Sequence, residues 1–280
     1  MTIKILKRIP LYIIMVILCI IYITPLLSIF YASFKTEAEL VRGGFWSIPS
    51  RVYIKNYIVA WNELNRYIVN TIIIAVPSSI LSVLIASLAS YALARIEIGK
   101  SFKPNEYLTA LFVAGLAIPH IMCLIPLFRL MYTLGLVNTY LAQILTHIGF
   151  GMPICVFVLR NFFLTIPKEL EDAARIDGCS ELDIFLRIIL PLSKPAIVTM
   201  ICFQFIWIWN TLGWGLVLAS DESVMPIAVG LLKYKGVYAI LGWTQLCAGT
   251  IITSLPPIII FILLQKYFYE AFIGITPTRR

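Results

Sequence analysis

Six windows of about twenty residues along this chain contain no Lys, Arg, Asp or Glu: 11–30, 72–91, 108–128, 140–159, 196–218 and 246–264. At about 1.5 Å of rise per residue, a helix of that length crosses the roughly 30 Å hydrocarbon core of a bilayer. A helix also satisfies its own backbone where no water can. The chain therefore reads as an all-α integral membrane protein with six transmembrane helices, at about 11–33, 69–94, 108–130, 140–160, 195–218 and 245–265. A mean hydropathy of +0.93 with 13% charged residues lies far from the balance of a soluble domain.

Lys4, Lys7 and Arg8 before the first window also describe a secretory leader, but the apolar run is too long and no small-x-small cleavage site follows. The window is read as a retained span. The six cysteines fall inside spans or in a segment placed on the cytoplasmic side, so no disulfide framework is implied. With the N-terminus inside, the inner loops carry 14 Lys and Arg against 8 outside. That bias places residues 1–10, 161–194 and the tail 266–280 in the cytoplasm. The net charge of +8 suits inner loops against anionic lipid headgroups, and no nucleic-acid partner is invoked.

Residues 35–67 hold Gly43-Gly44, Pro49 and several aromatics, and are expected to form an ordered external loop with short helical pieces. Pro25, Pro77, Pro119, Pro126, Pro153, Pro256 and Pro257 fall within the spans, where they mark kinks that serve either packing or hinging.

The longest polar stretch lies between the fourth and fifth windows. Pro167 suits a first helical turn, and Glu169, Glu171 and Asp172 sit at its positive end. Gly178 supplies a stop, and Ser180 with Asp183 resembles a capping box opening a second helix, which Leu190-Pro191 is expected to end. The result is a helical hairpin too short to span. Leu170, Ala173, Ala174 and Asp177 form one edge of its first helix, and the paired alanines leave room for a close approach. Such a hairpin either docks on a partner or lies on the membrane surface.

Asp172-Ala173-Ala174, then Gly178, then nine residues, then Ile188-Ile189-Leu190-Pro191 resembles the EAA loop of permease subunits in binding-protein-dependent ABC importers. Asp172 replaces the usual Glu. Arg160-Asn161-Phe162-Phe163, Ser33-Phe34-Lys35-Thr36, Asn56-Tyr57, Asn70, Ile125-Pro126-Leu127, Trp209-Asn210 and Gln265-Lys266-Tyr267-Phe268 are similar to the carbohydrate branch. The tail from Gly274 to Arg280 departs from the family's usual glycine-rich, lysine-ended form.

The resemblance implies a type I ABC importer permease fold and the shorter of two permeases in an oligosaccharide or related sugar importer. Implied partners are a second permease, two ATPase subunits, an extracytoplasmic solute-binding protein and the lipids of a bacterial or archaeal cytoplasmic membrane. It also implies that Glu169, Asp172, Ala173, Ala174, Asp177 and Gly178 couple the chain to its ATPase. A permease for a non-sugar solute, or an ion-coupled carrier, is the competing reading.

An ion-coupled carrier places charged groups within the membrane, and the six windows hold none. His120 and His147 are the titratable candidates there, read as packing residues. Gly99-Lys100-Ser101 imitates a phosphate-binding loop, but Ala94 stands where the motif needs glycine. The chain is therefore expected to bind no cofactor and to be no enzyme, with ATP and Mg used by the partner ATPase. Gln204, Trp207, Thr211 and Trp214, with Asn210 beside them, would share one stripe of a continuous fifth helix. Indoles and amides suit a neutral polyhydroxylated solute, but they can equally anchor and tie helices.

Overall fold

The computed structural model describes residues 9–96, 104–233 and 242–275, and among them every regular element is a helix. In order these are α1 (Ile9–Ser33), α2 (Glu37–Gly43), α3 (Lys55–Arg95), α4 (Pro104–Leu116), a 3₁₀ turn (His120–Cys123), α5 (Leu124–Thr133), α6 (Tyr140–Phe163), α7 (Glu169–Ile176) and α8 (Glu181–Leu192). α9 (Lys194–Trp209), α10 (Gly213–Leu218), α11 (Ile227–Lys233) and α12 (Trp243–Ile275) follow. The basic N-terminal residues Lys4, Lys7 and Arg8, the Gly99-Lys100-Ser101 sequence and residues 276–280 of the tail lie outside the described residues.

α1, α3, α6 and α12 are each long and apolar enough to cross a membrane. Two bent pairs raise the number to six where each is one span: α4 with residues 120–133, bent by 89°, and α8 with α9, bent by 76°. Helix ends differ from the expected ones. α3 begins at Lys55, so the last third of the expected external loop is helix, and α12 runs through Ile275.

The third window breaks at residues 117–119. Pro119 has no N–H to give the preceding turn and pushes Ile118 away from helical geometry. The fifth window breaks at residues 210–212, so α9 covers 16 residues and α10 resumes at Gly213. Gly215 is required on α10 because a Cβ there would collide with Pro226 and Val229.

The helix ends at Leu192, one residue past the expected Leu190-Pro191 stop. Residues Phe185–Ile189 open into a π turn in which the Leu190 amide donates to the Phe185 carbonyl. The wider turn accommodates Pro191, which can donate nothing to Arg187, and the helix continues to Leu192.

The chain divides into two compact units, residues up to 66 with 230–255, and residues 67–229 with those from 256 onward. In the first, α1 is an apolar helix with 6% of its most hydrophobic window buried. Beyond it, Lys35 is fully buried, and its Nζ donates to the Gly44 carbonyl at 2.7 Å and to Ser47 Oγ at 2.9 Å. Burial lowers the Lys35 pKa, against the pull of Glu39. Asn56 donates to the carbonyls of Ser33 and Lys35, and Glu37 accepts from the amide and hydroxyl of Thr244. The Ser33-Phe34-Lys35-Thr36 and Asn56-Tyr57 sequences are thus one polar knot.

The second unit is built around α6, whose Cys155, Val156, Leu159 and Phe163 are fully buried with Val83 and Ala86 of α3 and Ile184 and Ile189 of α8. Asn70 and Tyr140 stitch the loop after α10 to this core. Asn70 donates to the carbonyls of Glu222 and Met225, and the Tyr140 hydroxyl reaches Asn70 Oδ1 and the Ser223 carbonyl, each at 2.7 Å.

Candidate functional site

α7 and α8 form the expected hairpin. Gly178 takes φ +83°, a left-handed conformation that L side chains resist, and its position opens into free space. Ser180 then caps α8 by accepting from the Asp183 amide, while its hydroxyl donates to the Asp183 carboxylate at 2.5 Å. That bond holds the Asp183 pKa below the usual carboxylate range.

The two sides of α7 have opposite surroundings. Ala174 is 8% exposed and packs into the core of its own unit. Glu171 is buried as well, with Oε1 at 2.6 Å from Arg95 Nε at the end of α3. Glu169, Leu170, Asp172, Ala173, Ile176, Asp177 and Gly178 are exposed, Ile176 at 87%. The expected docking edge therefore divides: Leu170, Ala173 and Asp177 face outward, and Ala174 faces the protein. Apolar Leu170 and Ile176 beside Ala173 form a short greasy surface flanked by Asp172 and Asp177.

Arg175 braces the hairpin. Its guanidinium meets Glu181 Oε1 at 2.7 Å, Asp172 Oδ1 at 2.8 Å and Glu171 Oε2 at 3.4 Å. Glu181 also accepts from the Tyr91 hydroxyl at 2.8 Å. Hydrogen bonds from Arg175 and then Tyr91 hold the Glu181 pKa below its ordinary value. The sequence reading missed Arg95, Tyr91, Arg175 and Glu181 as parts of this site. Glu171 and Arg175 at i, i+4 carried a visible signal, whereas Tyr91 and Arg95 arrive from a distant helix that spacing does not connect.

The second set of expected residues does not lie on one helix face. Gln204 is buried and donates from Nε2 to the Gly151 carbonyl at 2.9 Å and to Cys155 Sγ at 3.0 Å, tying α9 to α6. Asn210 caps α9 and returns its amide to the Ile206 carbonyl, and Thr211 bonds the Trp207 carbonyl. Trp214, on α10, is buried with its ring 4.7 Å from that of Phe150.

Trp207 faces a cleft of about 190 Å³ shared with His120, Phe150 and Phe203. The break in the third window brings His120 there, its ring 5.3 Å from Trp207 and 5.1 Å from Phe150. The His147 ring lies 6.0 Å from that of Trp207, edge to face. Trp207 and Trp214 thus join one aromatic cluster around His120, which the sequence reading had set apart. Among the described residues no group of three or more His, Cys, Asp or Glu could hold a metal ion.

Helices long and apolar enough to cross a membrane several times, with a short helical hairpin after α6, are those of a multi-pass membrane protein. Residues 85–274 match the family described as binding-protein-dependent transport system inner membrane component, and the chain belongs to that family. It is 38% identical over 253 residues to the arabinooligosaccharides transport system permease protein AraQ of Halalkalibacterium halodurans, covering 89% of this chain and 88% of that one. It is 32% identical over 277 residues to the osmoprotective compounds uptake permease protein GgtD of Synechocystis, covering 96% and 91%. The fold is similar to that of a chain in the crystal structure of a bacterial ABC transporter involved in the import of the acidic polysaccharide alginate. The TM-score is 0.79 at 23% identity, over 94% of this chain and 96% of that one.

Proposed function

We propose that this chain is the permease subunit of an ATP-driven importer in a bacterial or archaeal cytoplasmic membrane, and that with a second permease it forms the path for an oligosaccharide or related sugar. Two ATPase subunits bind and hydrolyse Mg-ATP, and an extracytoplasmic binding protein delivers the solute. The hairpin carries this reading. Its outward surface of Leu170, Ala173 and Ile176 between Asp172 and Asp177 offers a partner an apolar contact with acidic edges, while its inner side is fixed to the bundle. ATPase closure then moves hairpin and helices together between inward-facing and outward-facing states. Both termini and the hairpin lie in the cytoplasm.

The sugar assignment is supported by the likeness to AraQ over most of both chains and by six windows without a charged side chain. Trp207 beside His120 offers a ring-stacking and hydrogen-bonding edge on the path. Gln204 ties α9 to α6 there, and Thr211 bonds the Trp207 carbonyl. The likeness to GgtD favours a second reading, a small osmoprotective solute handled by the same machinery.

Reconstitution of this chain with the second permease, ATPase and binding protein in liposomes tests the proposal. ATP-dependent uptake of labelled arabino-oligosaccharide, lost in Ile176→Asp through failure to retain the ATPase, is expected. Uptake by this chain alone, or driven by an ion gradient, overturns it. Uptake of an osmoprotectant in place of sugar moves the assignment to the second reading.

A further inference from the structure

The pair that holds the inner side of the hairpin does more than bury a carboxylate. Arg95 is the last residue of α3, and its guanidinium faces three ways at once. Nε meets Glu171 of α7 at 2.6 Å, and Nη2 donates to the Phe163 carbonyl at 2.8 Å and the Ile166 carbonyl at 2.6 Å. Those carbonyls lie at and just beyond the C-terminal end of α6, where a cation is favoured. Arg160, on the last turn of α6, returns the favour by donating from Nε to the Leu93 carbonyl of α3. The ends of α3 and α6 therefore cap each other through two arginines, and one of these also grips the hairpin.

A second attachment lies on the other arm. Tyr91, one turn before Arg95, donates to Glu181 at the start of α8, and Arg175 bridges Glu181 to Glu171. Both arms are thus fastened to the last two turns of α3 by side chains. The Arg95 and Glu171 side chains are 3% and 1% exposed, so neither can meet a partner protein. A buried ion pair adds little net stability over an apolar pair of the same volume, yet loss of either member is costly. Such a pair fixes geometry better than it adds strength, and the fork of Arg suits three simultaneous contacts in a way that Lys does not.

We propose that Arg95 and Glu171 are positioning residues for transport. They convert displacement of the hairpin into displacement of the α3 and α6 ends, and without them the hairpin moves but the bundle does not follow. This rests on the reading that the hairpin docks on an ATPase. The two ideas fail differently, because docking belongs to the exposed surface and transmission to the buried pair.

The test uses the full assembled importer in liposomes, with Arg95→Gln, Glu171→Gln, the double variant and Arg95→Lys. ATPase retention, ATP hydrolysis and sugar uptake are measured on the same preparations. Each single Gln variant is expected to retain the ATPase while uptake per ATP falls about tenfold or more, with the double variant no worse than the singles, as for residues acting as one unit. Arg95→Lys is expected to recover part of the ratio, since it keeps the charge but loses the fork. Variants that assemble less well yet import at the wild-type ratio per ATP would show a purely structural pair and overturn the proposal. Loss of the ATPase itself from Glu171→Gln would also overturn it, by making that residue part of the docking surface.

Discussion

Glu171 and Asp172 are adjacent acids with different neighbours. Glu171 is enclosed by two arginines, whereas Asp172 is 65% exposed with one Arg175 contact. Asp172→Lys is therefore expected to weaken ATPase retention in pull-downs without changing the melting temperature of the chain in detergent. Ala174→Asp has the opposite outcome: it places a lone carboxylate in the buried cluster to which Phe163 and Phe185 also belong, destabilising the chain by about 3 kcal/mol and lowering the yield of folded protein. From the sequence alone Ala173 and Ala174 were equivalent small residues on one edge. The distinction between them is set by the bundle behind the hairpin, which local spacing does not encode.

The Glu181 and Asp183 carboxylates give the hairpin a defined acid sensitivity. Their folded pKa values are depressed, so their contribution is fully present above the ordinary carboxylate range of about 4 and is lost as pH falls through the folded values. Hydrogen-exchange protection of the hairpin amides should hold from pH 8 to 5 and fall below about pH 4. The drop should shrink in Glu181→Gln.

Among elements, the hairpin was the most legible, because its caps are chemical statements in the chain: Ser180 before Asp183, and Gly178 where a left-handed residue is needed. Ser180→Ala is expected to cost about 1 kcal/mol through loss of the cap, read as a lower melting temperature and faster exchange at the start of α8. The break in the third window falls at Pro119, one of the prolines read as kinks, whereas the break in the fifth was not legible. Hydropathy reports which residues avoid water and says nothing of backbone direction. Proline gave no clean signal either, since Pro25, Pro77, Pro153, Pro256 and Pro257 lie inside unbroken helices while Pro119 borders a break. Neighbouring helices and side chains can satisfy the backbone groups that such prolines release. The π turn ahead of Pro191 is a third answer to the same residue, and its sequence, Phe-Leu-Arg-Ile-Ile, is ordinary helix former throughout.

Across the whole molecule the apolar segments were legible, four of them as single helices and two as bent pairs, because absence of charge over twenty residues is a thermodynamic requirement rather than a pattern. What covers each segment was not. α1 and α3 are both rich in isoleucine and leucine, yet α1 is almost bare while Leu64, Ile74 and Val83 of α3 are buried. Truncation should reveal the difference. Ile21→Ala is expected to shift the stability of the chain by no more than about 0.5 kcal/mol, whereas Ile74→Ala should cost about 2–5 kcal/mol. Thermal melting of the two variants in the same detergent provides the comparison.

The hairpin's divided surroundings bear on which motors could serve this permease. On the proposed docking its outer residues meet the ATPase while its inner ones pack on the chain itself, so the two sets are free to diverge independently. Grafting only positions 169, 170, 172, 173, 176 and 177 from another importer should retrain the subunit to that importer's engine, with the inner lock left as it stands.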